Sequence, residues 1–95
     1  MRYFAAIREP GPAWDHGRAM ADQDEWAEHA AFMNALAEEG FVVLGGPLGD
    51  EQRILLVVDA DSKEEIKRRL ADDPWTPIGL LSLTSLEPWQ ILLRA

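Results

Sequence analysis

The sequence predicts one α+β domain with the element order β-α-β-β-α-β, the ferredoxin-like split βαβ pattern. Two observations predict it: two segments have helical spacing of apolar residues, and four short apolar segments lie around them in that order. The 95 residues contain no repeat and are short enough for a single domain spanning residues 1–95.

The first strand, β1, is predicted over Arg2–Arg8, where aromatic and β-branched residues are enriched. Tyr3, Ala5 and Ile7 fall on one side, and Phe4 and Ala6 on the other. The Glu9–Pro12 segment ends the strand, because proline cannot donate to a ladder. A long loop over residues 9–21 follows, and such loops are often binding elements. It carries Trp14 and His16, and the alternative is a plain surface loop with one tryptophan packed on the core.

The first helix is predicted from Trp26 to about Glu39, with Asp22 or Asp24 as its cap and Gly40 as its left-handed stop. One face repeats at spacings of three and four and contains a histidine: Trp26, His29, Ala30, Met33, Leu36 and Ala37.

The next two strands are predicted over Phe41–Leu44 and Arg53–Asp59 and form a hairpin. Gly45-Gly46-Pro47 is expected to turn the chain where the first of them ends. The second strand is apolar on both faces, and two helices cover only one face of a sheet. We therefore expect a homodimer in which the sheets of two chains face each other.

The second helix is predicted from a capping box at Ser62 to about Ala71. Pro74 ends it, because the residue before a proline is pushed out of helical geometry. The last strand is predicted over Leu80–Leu86, and Trp89–Leu93 is expected to continue as an edge or dimer-contact segment.

Composition excludes several classes of function. Seventeen acidic and nine basic residues give a net charge of −8, which disfavours nucleic acid and anionic membrane surfaces as partners. The sequence has no cysteine, which fits a cytoplasmic protein. No apolar run is long enough to cross a membrane, no signal peptide is expected, and the two histidines lack the spacing of a metal site.

Two residues are candidates for acid–base chemistry. His29 lies on the apolar helix face, and Asp73 lies at the forced break before Pro74. Asp72 next to it is the competing choice of acid. A partly buried histidine beside an acid suits proton transfer, whereas the alternatives are a structural core histidine and an Asx turn. Candidate ligand contacts are the backbone of the glycine turn and two aromatic walls: Gly45, Gly46, Pro47, Trp14 and Trp75.

Three motifs make the sequence resemble the YciI-like (YCII-related) family over nearly its full length. They are H-x-x-F-M-x-x-L from His29 to Gly40, V-x-x-G-G-P-L from Val42 to Leu48, and D-P-W at Asp73. The opening Arg8–Asp15 resembles the branch with a longer first loop. The resemblance implies a dimeric ferredoxin-like fold of the dimeric α/β barrel type, and an active-site pair formed by His29 and Asp73. Some relatives look like lyases or dehalogenating enzymes on ring compounds, and the fold resembles muconolactone-isomerase-type dimers.

The leading hypothesis is a cofactor-independent acid–base enzyme, lyase-, isomerase- or dehalogenase-like, acting on a small apolar or aromatic metabolite. His29 would move the proton, Asp73 would orient the imidazole, and the Gly45 and Gly46 amides would stabilise an oxyanion. The rival is a non-catalytic dimeric small-molecule-binding or accessory domain. A third class is a regulatory module that binds a partner through the acidic surface.

Overall fold

The computed structural model describes residues 2–49 and 52–95 and contains the predicted elements in the predicted order. The strands are β1 (Tyr3–Pro10), β2 (Val42–Pro47), β3 (Ile54–Asp59) and β4 (Leu81–Pro88). The helices are α1 (Trp26–Glu38) and α2 (Lys63–Ala71), and a one-turn 3₁₀ helix spans Met20–Asp22. The α+β class is confirmed, and no helix of the described ranges is long and apolar enough to cross a membrane.

The four strands form one antiparallel sheet in the order β2-β3-β1-β4. This is the strand order of the ferredoxin-like fold, in which each βαβ unit is split by a strand from the other half. β1 and β3 are central, so the side chains they direct towards the helices lie in the middle of the domain.

Alternation along β1 fixes which side chains enter the core. Phe4, Ala6 and Arg8 are buried, while Ala5 and Ile7 are only partly covered. The buried side chains of β3 that pair with this face include Leu56 opposite Ala6 and Val58 opposite Phe4. Ile66 and Leu70 of α2 are buried in the same core. Arg8 is thus a charged side chain at a core position.

A β-bulge lies beside Arg8. Ile7 pairs with Ser85 and Arg8 pairs with Leu83, so Thr84 is an extra residue in β4. The bulge changes which residues of β4 face the helices. Without it, Leu86 and Ser82 would share a face; with it, Leu83 and the buried Leu81 follow Leu86 instead.

The predicted turn at Gly45-Gly46-Pro47 is wrong, because these residues are part of β2. Gly45 pairs with Leu56, Gly46 with Leu55 and Pro47 with Ile54. Neither glycine has a positive φ, so the pair is extended. Pro47 fits because β2 is an edge strand. The chain turns later, where the Leu48 amide donates to the Arg53 carbonyl at 2.8 Å, and Asp50 and Glu51 lie outside the described residues.

The predicted caps of the first helix are also wrong at its start. Glu25 occupies the cap position with a φ of 57°, and no side chain caps the helix. Asp22 instead ends the 3₁₀ helix. The predicted stop is confirmed, since Gly40 has a φ of 82°. At the second helix, Ser62 Oγ accepts from the Glu65 amide at 3.1 Å, as predicted.

The segment after β4 is not a strand. One backbone hydrogen bond, from the Trp89 amide to the Tyr3 carbonyl at 2.9 Å, extends the pairing with β1. Beyond it Leu92 and Leu93 are exposed. Its expected role as a dimer contact stays a prediction.

Candidate active site

His29 and Asp73 lie in contact although 44 residues separate them in sequence. His29 Nδ1 is 2.9 Å from each carboxylate oxygen of Asp73, and both residues are buried. His29 belongs to the first turns of α1, and Asp73 follows α2, where its amide donates to the Leu70 carbonyl. The split βαβ topology places these ends side by side on the helical face of the sheet.

Asp73 is held by two further donors. The Trp75 amide donates to Oδ1 at 3.0 Å, in the Asx-type bond expected at an Asp-Pro turn. Arg8 Nη1 donates to Oδ2 at 2.7 Å. Burial raises the pKa of Asp73, but the hydrogen bonds from His29, Trp75 and Arg8 outweigh burial and hold that pKa below its usual value. Asp73 is therefore ionised at neutral pH.

The ionised carboxylate determines the tautomer of the neutral imidazole. A carboxylate only accepts hydrogen bonds, so His29 Nδ1 carries the proton and donates it. Nε2 then has the lone pair. It makes no hydrogen bond to the described part of the chain, and His29 lines a largely apolar cavity. This arrangement suits a proton acceptor.

Aromatic rings support the imidazole on the side away from the cavity. The Trp75 indole stacks on His29 with centroids 3.7 Å apart and planes 6° apart. Trp75 Nε1 donates to the Asp24 carbonyl at 2.6 Å, and Trp14 packs edge-on against Trp75 at 5.6 Å. Neither Trp14 nor Trp75 lines the cavity, whereas Trp26 does. The two predicted aromatic walls thus lie behind His29, as packing.

The cavity has a volume of about 370 Å³ and lies between α1 and the β2 side of the sheet. Its wall is mainly apolar, and its polar side chains among the described residues are Arg8, His29 and Asn34. Gly45, Gly46 and Pro47 all line it. Their contact with a ligand stays a prediction. A Cβ added at Gly45 would lie 2.8 Å from Leu56 Cδ2, so glycine there leaves room for the apolar floor.

Sequence reasoning missed two residues of the site, Arg8 and Thr76. Arg8 Nη2 donates to Thr76 Oγ1 at 3.1 Å, and Thr76 in turn donates to the Leu70 carbonyl at 2.8 Å. A signal existed for Arg8. The alternation that puts Phe4 and Ala6 on one face of β1 puts Arg8 there too, and a charge on a core face needs a partner. Thr76 had no comparable signal.

The family model of the YCII-related domain matches residues 1–90. The chain belongs to this family, as the three motifs predicted. A solved structure of similar fold is 5-chloro-2-hydroxyhydroquinone dehydrochlorinase (TftG) from Burkholderia phenoliruptrix AC1100, in complex with 2,5-dihydroxybenzoquinone. Its sequence is 26% identical to this chain, the alignment covers 93% of both chains, and the TM-score is 0.69. No curated protein sequence matches the chain significantly.

Proposed function

We propose that this protein is a cofactor-independent acid–base enzyme acting on a small ring compound that carries hydroxyl or carbonyl groups. The observation that carries the proposal is the buried His29–Asp73 pair at the wall of an apolar cavity, with Nδ1 of the histidine 2.9 Å from the carboxylate. A histidine oriented by a carboxylate is a general base, and the carboxylate stabilises the imidazolium that forms.

In the proposed reaction, His29 Nε2 takes a proton from an O–H or acidic C–H group of the ring. The electron pair left behind forms a new double bond, and a leaving group on the ring departs with its own bonding pair. The same proton then goes from the imidazolium to solvent or to the product. Asp73 keeps its negative charge throughout, because its hydrogen bonds stabilise the ionised form.

The cavity and the structurally similar enzyme support the proposal of a ring-shaped substrate. A volume of about 370 Å³ lies at the small end of ligand sites, and the wall is largely apolar. The similar Burkholderia enzyme is a dehydrochlorinase of a hydroxylated ring and is solved with a dihydroxybenzoquinone. The donation of Gly45 and Gly46 amides to an oxyanion stays a prediction, as does a cytoplasmic location.

We propose further that the protein is a homodimer. Ile7 and Leu55, which face away from the helices, are only partly covered within one chain, and Leu44 of β2 is exposed. A second sheet packed on this face would remove them from water. The cavity lies on the opposite, helical face, so dimer formation leaves His29 reachable from the β2 edge.

A direct experiment uses 2,5-dihydroxybenzoquinone as the probe and NMR shifts of the His29 ring as the readout. Saturable binding that perturbs His29 is expected for the native chain. His29→Gln should release chloride from 5-chloro-2-hydroxyhydroquinone at least about 100-fold more slowly than the native protein, because general-base catalysis supplies factors of that size. His16→Gln, at an exposed loop position, is the matched control and should retain the native rate.

The same experiment separates the rival function. A non-catalytic binding domain would bind the ring compound with His29 and yet give no product from it or from related hydroxylated rings. Binding without turnover across such a set would contradict the enzymatic proposal.

A further inference from the structure

We infer that Arg8 is a positioning residue that sets the protonation state of His29 through Asp73, so that Arg8, Asp73 and His29 form one hydrogen-bonded network. The inference concerns the same site as the proposed function. Only the expected effect of Arg8 on the rate of turnover rests on that function. Both Arg8 Nη1 and His29 Nδ1 contact the same oxygen, Asp73 Oδ2, at 2.7 and 2.9 Å. The guanidinium and the imidazole therefore compete for one negative charge.

Burial makes this competition strong. The side chains of Arg8, Asp73 and His29 are 3%, 0% and 8% exposed. Charges in such surroundings interact far more strongly than they would in water. With Arg8 charged and Asp73 ionised, the cluster is neutral while His29 is neutral, and it gains a net positive charge only when His29 takes a proton. Arg8 thus favours the neutral imidazole, which is the form that accepts a proton.

Few other charges act on the imidazole. Glu25 at the cap of α1 and Glu28 within α1 are exposed, and Asp24 contributes its carbonyl oxygen to Trp75. Within the described ranges, β2, β3 and β4 contribute only uncharged residues to the cavity around His29. Arg8 and Asp73 are therefore the charged groups that face His29 from the elements packed against it.

The placement of Arg8 indicates a role beyond stability. Nη1 and Nη2 are bonded to Asp73 and Thr76, but Nε is buried without a hydrogen-bond partner among the described residues. A buried donor without an acceptor costs free energy. Arg8 also forms part of the wall of a second cavity, of about 250 Å³, on the α2 side, so the residue borders both cavities. The bulge at Thr84 lies at this same point of the sheet.

The test is an NMR titration of the His29 ring in Arg8→Gln, with Arg68→Gln as the matched control. Both variants lose one positive charge, but Arg68 is exposed on α2. Protonation of His29 should move to higher pH by about one unit or more in Arg8→Gln, because the positive charge of Arg8 no longer disfavours the positively charged imidazolium. It should stay within a few tenths of a unit in Arg68→Gln. Arg8→Lys keeps the charge and should restore most of the native behaviour. Equal midpoints in Arg8→Gln and Arg68→Gln would overturn the inference.

A second measurement uses the native chain and can be made even if Arg8→Gln does not fold. In the native chain, the shielded Arg8 Nε–H signal should shift with the same midpoint as the His29 ring, because both sense one carboxylate. A flat Arg8 signal through that midpoint would overturn the inference. Failure here is distinct from failure of the proposed function, since neither titration requires a substrate. If both hold, the acid limb of the pH–rate profile moves to higher pH in Arg8→Gln.

Discussion

The imidazole of His29 and the indole of Trp75 are stacked nearly parallel, with centroids 3.7 Å apart. Trp75 follows Asp73 by two residues and donates its amide to the Asp73 carboxylate. The same short turn thus supplies both the hydrogen-bond acceptor of His29 and the flat surface that fixes the plane of its ring. An imidazolium over an indole face is also stabilised by the ring quadrupole.

Trp75→Phe is expected to destabilise the protein by about 1–3 kcal/mol, because it leaves a gap and removes the hydrogen bond to the Asp24 carbonyl. Urea unfolding measures the difference. Trp89→Phe is the matched control at an exposed position and should change stability by less than about 0.5 kcal/mol. Equal stability of the two variants would contradict the packing of Trp75 against His29 and Trp14.

Stability should fall as the pH drops below the ordinary value of 3.8 for aspartate. The pKa of Asp73 is lower in the folded chain than in the unfolded chain, so the unfolded state binds the proton first. The stabilisation is complete above the unfolded pKa and is lost as the pH falls through the folded pKa. Urea unfolding at a series of pH values measures this slope.

In Asp73→Asn, the unfolding free energy should no longer fall in this acidic range. The variant should also be less stable than the native chain at pH 7 by about 3–5 kcal/mol, because the buried Arg8 then lacks its counter-charge. Asp72→Asn, at the exposed neighbouring position, should keep both the slope and the stability. A native-like pH profile in Asp73→Asn would show that this carboxyl is not the group responsible.

The two glycines of β2 should respond differently to alanine. In Gly46→Ala, the added Cβ has no atom within 4 Å, so the substitution should change stability by less than about 1 kcal/mol. Gly45→Ala places a Cβ 2.8 Å from Leu56 Cδ2 and should cost about 1–3 kcal/mol while reshaping the cavity floor. Affinity for 2,5-dihydroxybenzoquinone, measured by calorimetry, should fall only for Gly45→Ala. Equal affinities of the two variants would place the ligand elsewhere.

The homodimer has its own test by light scattering. The native chain should give twice the 10.7 kDa mass of one chain at micromolar concentration. Leu55→Arg, on the sheet face away from the helices, should give the mass of one chain, because a buried unpaired charge opposes association. Ala31→Arg, on the exposed side of α1, should remain dimeric. A single-chain mass for the native protein would contradict the proposal.

The fold and the His29–Asp73 contact could be predicted because each has a local signal. Helical spacing, Gly40 and the break at Pro74 fix the ends of the elements, and the split βαβ order brings the two residues together. The extension of β2 through Gly45-Gly46-Pro47 had no such signal. Glycine is permissive in both turns and strands, and only pairing with β3 decides between them. The Arg8–Thr76 contact likewise depends on register across the sheet, which tertiary packing sets.

The nitrogen-15 spectrum of the His29 ring near the upper end of its titration shows directly whether Nε2 is a base. We expect the tautomer with the proton on Nδ1, held by Asp73, and an unprotonated Nε2 whose signal shifts when 2,5-dihydroxybenzoquinone is added. A proton on Nε2 in the neutral ring would contradict this expectation, because the nitrogen available to a substrate would then be a donor and not a base.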